Sequence, residues 1–176
     1  WRTPGVAYLQ RVSDRIGSSD RYYCDIAPRY RWTRELSGDE LSAALDRYLA
    51  QYTAVPGGNP GVPRDLRVSA HTPSGRVAVL DVETDRGTFQ LRGDEIRYVL
   101  RPPGGEMLNS TYFSVEPLAR DSGAEGRIAR VTLRGRGYGH GVGMCQWGAI
   151  GRARAGQSFR TILGTYYTGT TIGAVR

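Results

Sequence analysis

The chain reads as an α+β protein, a mixed, mostly antiparallel β-rich lobe with several short helices, and three observations predict it. A capping box opens a helical apolar stripe near residue 38. Short alternating strands separated by turn residues follow from residue 66, and a glycine-alternating run near the C-terminal end suits neither a linker nor a helix.

Taken in order, residues 1–32 are irregular, with a strand-like AYLQRV and then the aromatic, basic YYCDIAPRYRW. Ser37 and Glu40 form the capping box, and Leu41, Leu45, Tyr48, Leu49 and Tyr52 recur at helical spacing, which predicts a helix from about Gly38 to about Gln51. Prolines 56, 60 and 63 with glycines 57, 58 and 61 predict a loop or hinge. Leu66–His71, Val77–Glu83 and Thr88–Leu91 alternate with turn signals at Pro73-Ser74-Gly75 and Asp85-Arg86-Gly87, the pattern of a β-meander. Gly93–Leu100 suits a short helix with Ile96, Val99 and Leu100 inward. Thr111–Val115 and Arg127–Leu133 are further strands flanking a DSGAEG loop. A helix is expected from near Gly143, stopped by Gly156, and Ser158 caps a last one with Phe159, Ile162, Leu163 and Tyr166 on one face. These boundaries divide the chain into 1–55, the distal part of an incomplete N-terminal lobe; 56–65, a loop or hinge; and 66–176, a β-rich lobe.

Composition narrows the function. The 176 residues are enough to bury a core, and no apolar run of about 18 residues is present to span a bilayer. All 24 basic residues are arginine against 17 acidic ones, giving a net charge of +7. The arginines are scattered rather than gathered into a tail or stripe, which argues against a nucleic-acid partner and suits an acidic polymer or surface. Cys24 and Cys145 read either as a disulfide, if the domain is exported, or as two unpaired buried thiols. A metal site would need them to converge with His71 and His140, and no ligand spacing supports that, so neither metal nor other cofactor is expected.

The run GRGYGHGVGMCQWGA, Gly135 to Ala149, has glycine at every second position from Gly135 to Gly143. If extended, it puts the glycines on one face and Arg136, Tyr138 and His140 on the other, leaving bare backbone for close approach by another segment or by a ligand. No dinucleotide or phosphate-loop register fits these glycines. His140, expected just before a helix N-terminus, is the foremost functional candidate.

The segment GRGYGHGVGMCQWGAIGRARAGQSFRTILGTYYTGTTI resembles the C-terminal signature of the stage II sporulation protein D family, also called the amidase-enhancer family, with its GHGVGM-x-Q-x-GA run and YY-x-GT ending. AYLQRVSD, IAPRYRWTREL, SGRVAVLDVETDRG, LRGDEIRYVL and LNSTYFSVE agree in order. The resemblance implies a peptidoglycan lytic transglycosylase, which cleaves glycan strands to 1,6-anhydro-muramyl ends. Its alternative is a non-catalytic peptidoglycan-binding or amidase-enhancing module. The family's catalytic glutamate belongs to an upstream alanine- and arginine-rich segment that this sequence does not contain. The chain is therefore expected to be the distal part of a larger protein. Glu35, Glu83, Asp94, Glu95, Glu106 and Glu116 have no setting that marks a general acid.

By the same resemblance His140 has a supporting catalytic role, and Tyr30, Arg31, Trp32, Ser110, Tyr138, Gln146, Tyr166 and Tyr167 form a sugar-binding wall. Aromatic faces would stack on sugars while polar groups hold hydroxyl and N-acetyl groups. For Trp32, Trp147 and Phe159, packing in the core is the stronger expectation. The implied partners are peptidoglycan glycan strands and other cell-wall hydrolases, and the implied location is the extracytoplasmic bacterial cell envelope.

Overall fold

The structure is a computed structural model that describes residues 6–121 and 126–173. It forms two compact units, one of residues 31–140 and one assembled from residues 1–30 and 141–176. The fold class is α+β, and every strand pairing between named strands is antiparallel.

In the unit of residues 31–140, β1 (Arg31–Ser37) leads into α1 (Gly38–Tyr48). The capping box forms as expected: Ser37 Oγ accepts from the Glu40 N–H at 3.1 Å and Glu40 Oε2 accepts from the Ser37 N–H at 2.9 Å. Leu41, Ala44, Leu45 and Tyr48 face inward, and the chain tightens into a 3-10 turn at Leu49–Gln51, where the helix was expected to end. Next come β2 (Pro63–His71), β3 (Val77–Thr84) and β4 (Gly87–Arg92), a three-stranded meander in that order. The short α2 (Glu95–Val99) buries Ile96 and Val99, and Leu100 after it, as its spacing predicted. Arg97 on the same helix is buried but satisfied, its Nε donating to the Leu108 carbonyl at 2.8 Å.

The remaining strands, β5 (Phe113–Val115), β6 (Ala119–Arg120) and β7 (Ile128–Arg136), join β1 in a second sheet with β7 at its centre. Leu36, Leu41 and Leu45 share one core with Leu80, Leu91, Ile128 and Leu133, so a single apolar cluster serves both sheets. Of the DSGAEG loop before β7, residues 122–125 lie outside those described.

The segment expected as a hinge at 56–65 lies inside this unit rather than between two lobes. Thr84 Oγ1 donates to the Pro60 carbonyl at 2.6 Å, the Val62 N–H donates to Asp85 Oδ1 at 2.8 Å, and the Asp85 N–H donates to the Val62 carbonyl at 3.1 Å. Those bonds fasten the proline-rich stretch to the β3–β4 turn and remove the freedom its composition suggested. The strand-like AYLQRV is not a strand either: among the described residues it joins neither sheet.

The second unit holds α3 (Gln146–Arg154) and α4 (Phe159–Tyr166), the latter capped by Ser158 as expected. Its centre is the Asp14 carboxylate. Asp14 Oδ1 accepts from Arg152 Nε at 3.1 Å and from the Tyr166 hydroxyl at 2.6 Å. Arg152 Nη2 also reaches the Ser13 carbonyl at 3.0 Å, and the Arg152 guanidinium lies 4.5 Å over the Tyr23 ring. Asp14 and Arg152 are 9% and 7% exposed, so the charges are partnered by one another rather than by water. Gly148 makes room for this cluster: a Cβ there would sit 2.2 Å from both Asp14 Oδ2 and the Tyr166 hydroxyl. Of the face expected to turn inward on α4, Ile162 and Tyr166 are buried, whereas Phe159, at its first residue, is 61% exposed.

Two outcomes follow for stability. Asp14→Ala leaves the Arg152 guanidinium buried without its carboxylate and should cost about 3–5 kcal/mol in urea denaturation. Tyr166→Phe removes one donor and should cost about 1–2 kcal/mol. Burial, and then the hydrogen bond to Asp14, holds the Tyr166 phenol well above the ordinary tyrosine range, favouring its neutral form. That contribution is fully present below pH ~10 and is lost as pH rises beyond it, so Y166F should show a shallower alkaline loss of stability than the unaltered chain.

Candidate functional site

β7 delivers the glycine run, and its last residues set the geometry. Gly135 pairs with Trp32 on β1 and with Phe113 on β5, so two aromatic residues flank a position without a side chain. The Trp32 and Phe113 rings lie 6.2 Å apart at 53°. A Cβ on Gly135 would meet Trp32 Cζ2 at 2.2 Å, so the indole occupies the space a side chain would take. Of the two readings of the run, close approach of another chain segment holds at this glycine.

Beyond Arg136 the run is not an extended ledge, contrary to the period-two expectation. Gly137, Gly139, Gly141 and Gly143 take φ of 75°, 110°, 78° and 81°, in the left-handed region, and strand pairing stops. Alternating left-handed glycines with ordinary residues gives an irregular path with bends at Gly139 and Gly143, and the two-faced row expected of a strand is lost. This path is fixed through backbone groups. Trp32 Nε1 donates to the Gly137 carbonyl at 3.1 Å, the Gly139 N–H to the Asn109 carbonyl at 2.7 Å, and Arg76 Nη1 to the Gly139 carbonyl at 3.4 Å. Tyr138 is 63% exposed and His140 is exposed at this end of the unit.

A groove of about 560 Å³ lies on the same unit, lined by Arg31, Trp32 and Thr33, Tyr112–Ser114 and Arg134–Arg136. Antiparallel register sets Arg31 opposite Arg136 and Thr33 opposite Arg134. The Arg136 guanidinium stacks 4.2 Å from the Tyr112 ring centre and hydrogen-bonds the Tyr112 hydroxyl. Arg134 is paired with Glu116 at 3.6 Å. Such a lining offers forked cationic donors beside aromatic faces, which suits carboxylate, phosphate and sugar groups. None of the nine lining residues is a carboxylic acid. Another groove, of about 570 Å³, shares Phe113 and Ser114 with the first and contains Asp65, Arg67, His71 and Glu116; its mixed charges give no comparable case for an anionic polymer.

The expected site residues fall on both units. Arg31, Ser110, Tyr138 and His140 belong to the unit of residues 31–140, whereas Tyr30, Gln146, Tyr166 and Tyr167 belong to the other. Ser110 is fully buried, donating to the Arg136 carbonyl at 2.8 Å and accepting from the Tyr112 N–H at 3.1 Å, so it holds the strand end and offers nothing to a ligand. Tyr166, 4% exposed, is likewise committed to Asp14. The Tyr167 hydroxyl accepts from the Met144 N–H at 3.4 Å and supports the end of the glycine run. Tyr30 is half-buried beside Tyr22, and Gln146 is exposed on the first turn of α3. That helix starts at Gln146 rather than near Gly143, so its start lies well past His140 in the chain.

Tyr112, Arg134 and Asn109 were not anticipated. Asn109 and Tyr112 flank Ser110 inside the quoted LNSTYFSVE, but their contacts depend on register across β7. Among the described residues, the group of possible metal ligands is Asp14, Cys24 and Cys145, whose ligand atoms lie within 4.8 Å of one another; neither histidine joins it. Cys24 and Cys145 are side-by-side thiols. The hydrogen bond from Cys24, helped by the Gly148 N–H at 3.3 Å, lowers the Cys145 thiol to about 7, and the same pairing raises Cys24.

Comparison with known proteins agrees with the resemblance read from the motifs. The chain is 39% identical over 85 residues to the amidase enhancer of Bacillus subtilis, covering 48% of this chain and 10% of that protein. It is 30% identical over 170 residues to stage II sporulation protein D of Bacillus amyloliquefaciens, covering 97% of this chain and 39% of that protein. An uncharacterized protein of Brachyspira hyodysenteriae is 29% identical over 141 residues, covering 80% and 32%. The chain thus spans well under half the length of the curated relatives it matches. Residues 10–143, more than half of the chain, match the family described as Domain of unknown function (DUF8618), and the chain belongs to that family.

Proposed function

We propose that this chain is the distal portion of a peptidoglycan lytic transglycosylase-like protein of the bacterial cell envelope, which binds cell-wall glycan strands and helps to cleave them. The observation that carries the reading is the groove of Arg31, Arg134 and Arg136 beside Trp32 and Tyr112, at the end of β7 from which the chain runs on to the exposed Tyr138 and His140. Wall glycan carries lactyl and peptide carboxylates on an amphipathic sugar backbone, which matches guanidinium forks alongside aromatic faces. The similarity to stage II sporulation protein D and the amidase enhancer points to the same class of protein.

Cleavage of the glycosidic bond needs a proton at the leaving oxygen and support for an oxocarbenium-like centre. The groove lining has no carboxylic acid, so the general acid is assigned to a glutamate outside this sequence. On this reading the arginines fix the strand through its anionic substituents, Tyr138 stacks on a sugar face, and His140 hydrogen-bonds near the reacting ring. A second reading, a non-catalytic peptidoglycan-binding or amidase-enhancing module, is favoured by the similarity to the amidase enhancer of B. subtilis.

Co-sedimentation with purified peptidoglycan should retain the chain at low salt, and the double variant Arg31→Ala, Arg136→Ala should weaken retention about tenfold or more, the loss of roughly one charge-assisted contact. Equal retention of the variant rules the groove out. In the longer protein, His140→Ala should slow the release of 1,6-anhydro-muramyl products from glycan strands. Unchanged turnover removes His140 from the reaction, while a protein that binds strands, yields no anhydro ends and stimulates an amidase supports the second reading.

A further inference from the structure

We propose that Cys24 and Cys145 join in a disulfide that ties together the two sequence-distant segments of the discontinuous unit. The unit is built from residues 1–30 and 141–176, and one cysteine lies in each segment. Their sulfur atoms and an Asp14 carboxylate oxygen all lie within 4.8 Å of one another, and the thiols hydrogen-bond each other.

Both backbones are already held in position. Cys24 lies in the 3-10 turn Tyr23–Ile26, where the Tyr23 N–H donates to the Asp14 carbonyl at 2.8 Å and the Tyr23 hydroxyl accepts from Gln157 Nε2 at 3.1 Å. Cys145 is the N-cap of α3, its sulfur accepting from the Gly148 N–H at 3.3 Å. Closing the bond asks the sulfurs to approach from within 4.8 Å to about 2.05 Å.

A metal ion is the other use of this cluster, and the chemistry argues against it. Asp14 Oδ1 already accepts from Arg152 and Tyr166, and the Arg152 guanidinium balances the carboxylate charge. With the second Asp14 oxygen the cluster offers three protein ligands, one short of a closed structural zinc site, and the Arg152 guanidinium beside them opposes a cation.

The oxidant is a small-molecule or protein disulfide. The Cys145 thiolate, favoured at neutral pH by its hydrogen bonds, attacks one sulfur of that disulfide; a mixed disulfide forms and one oxidant thiolate leaves. Cys24 then loses its proton, and its sulfur attacks Cys145 Sγ, expelling the second oxidant thiolate. Two electrons and the two cysteine protons pass to the oxidant, which departs as two thiols.

The test uses the 176-residue chain, treated with glutathione disulfide, unfolded, labelled with a maleimide and weighed by mass spectrometry. No label is expected without reduction and two labels after it, with a melting temperature about 5 °C or more above that of the reduced chain. Cys24→Ser and Cys145→Ser should each abolish the difference and leave one reactive thiol. Before oxidation, the first alkylation should follow a titration near pH 7 and map to Cys145. Two labels after oxidant treatment, a link between two chains in place of one within the chain, or an equivalent of zinc kept through desalting and released by the maleimide would each overturn the proposal. The mass shift is read on the unaltered chain, so a variant that fails to fold leaves the result intact.

Discussion

The absence of a side chain at Gly135 is the constraint on which the unit of residues 31–140 depends. It lets the Trp32 indole lie against β7 and bring its N–H to the Gly137 carbonyl, where strand pairing gives way to the left-handed glycines. Phe113 completes the arrangement from the opposite strand. One bare backbone position thus couples the central strand of the sheet to the residues that begin the candidate site. The groove arginines are arranged by the same strand, because Arg134 and Arg136 stand on either side of that glycine.

The other unit rests on a different principle. Among its described residues few large apolar side chains are buried, Ile162 and Tyr166 being the buried ones, and its interior is a charged and aromatic cluster of Asp14, Arg152, Tyr23 and Tyr166. Such a cluster specifies geometry more than it drives collapse, since each buried charge is tolerable only while its partner is in place. Gly148 and the exposed Phe159 are two sides of that choice: the backbone of α3 comes close enough to contact the carboxylate, and of the two aromatic residues of α4 the one with a hydroxyl is buried while Phe159 is left outside.

What could be read from the sequence depended on how local each feature's cause was. The capping box at Ser37, the three-stranded meander and the Ser158 cap are written within a few residues and formed as expected. AYLQRV had strand propensity without a partner, and the proline-rich segment had hinge composition but side-chain bonds from Thr84 and Asp85. Both depend on distant residues, which periodicity does not report. The glycine run misled for a further reason: period two in composition suits an extended strand and an irregular path of alternating left-handed glycines equally well, and only the backbone dihedrals separate them. At the site, Arg31 and Arg136 were visible as motif residues, whereas the burial of Ser110 and Tyr166 and the part played by Tyr112 arise from cross-strand register and from Asp14, over a hundred residues from Tyr166.

The discontinuous unit also orders events during synthesis. Residues 31–140 hold a complete apolar core of their own and can condense as soon as they emerge from the ribosome. The segment carrying Asp14, translated first, must wait for α3 and α4 before its carboxylate meets Arg152 and Tyr166.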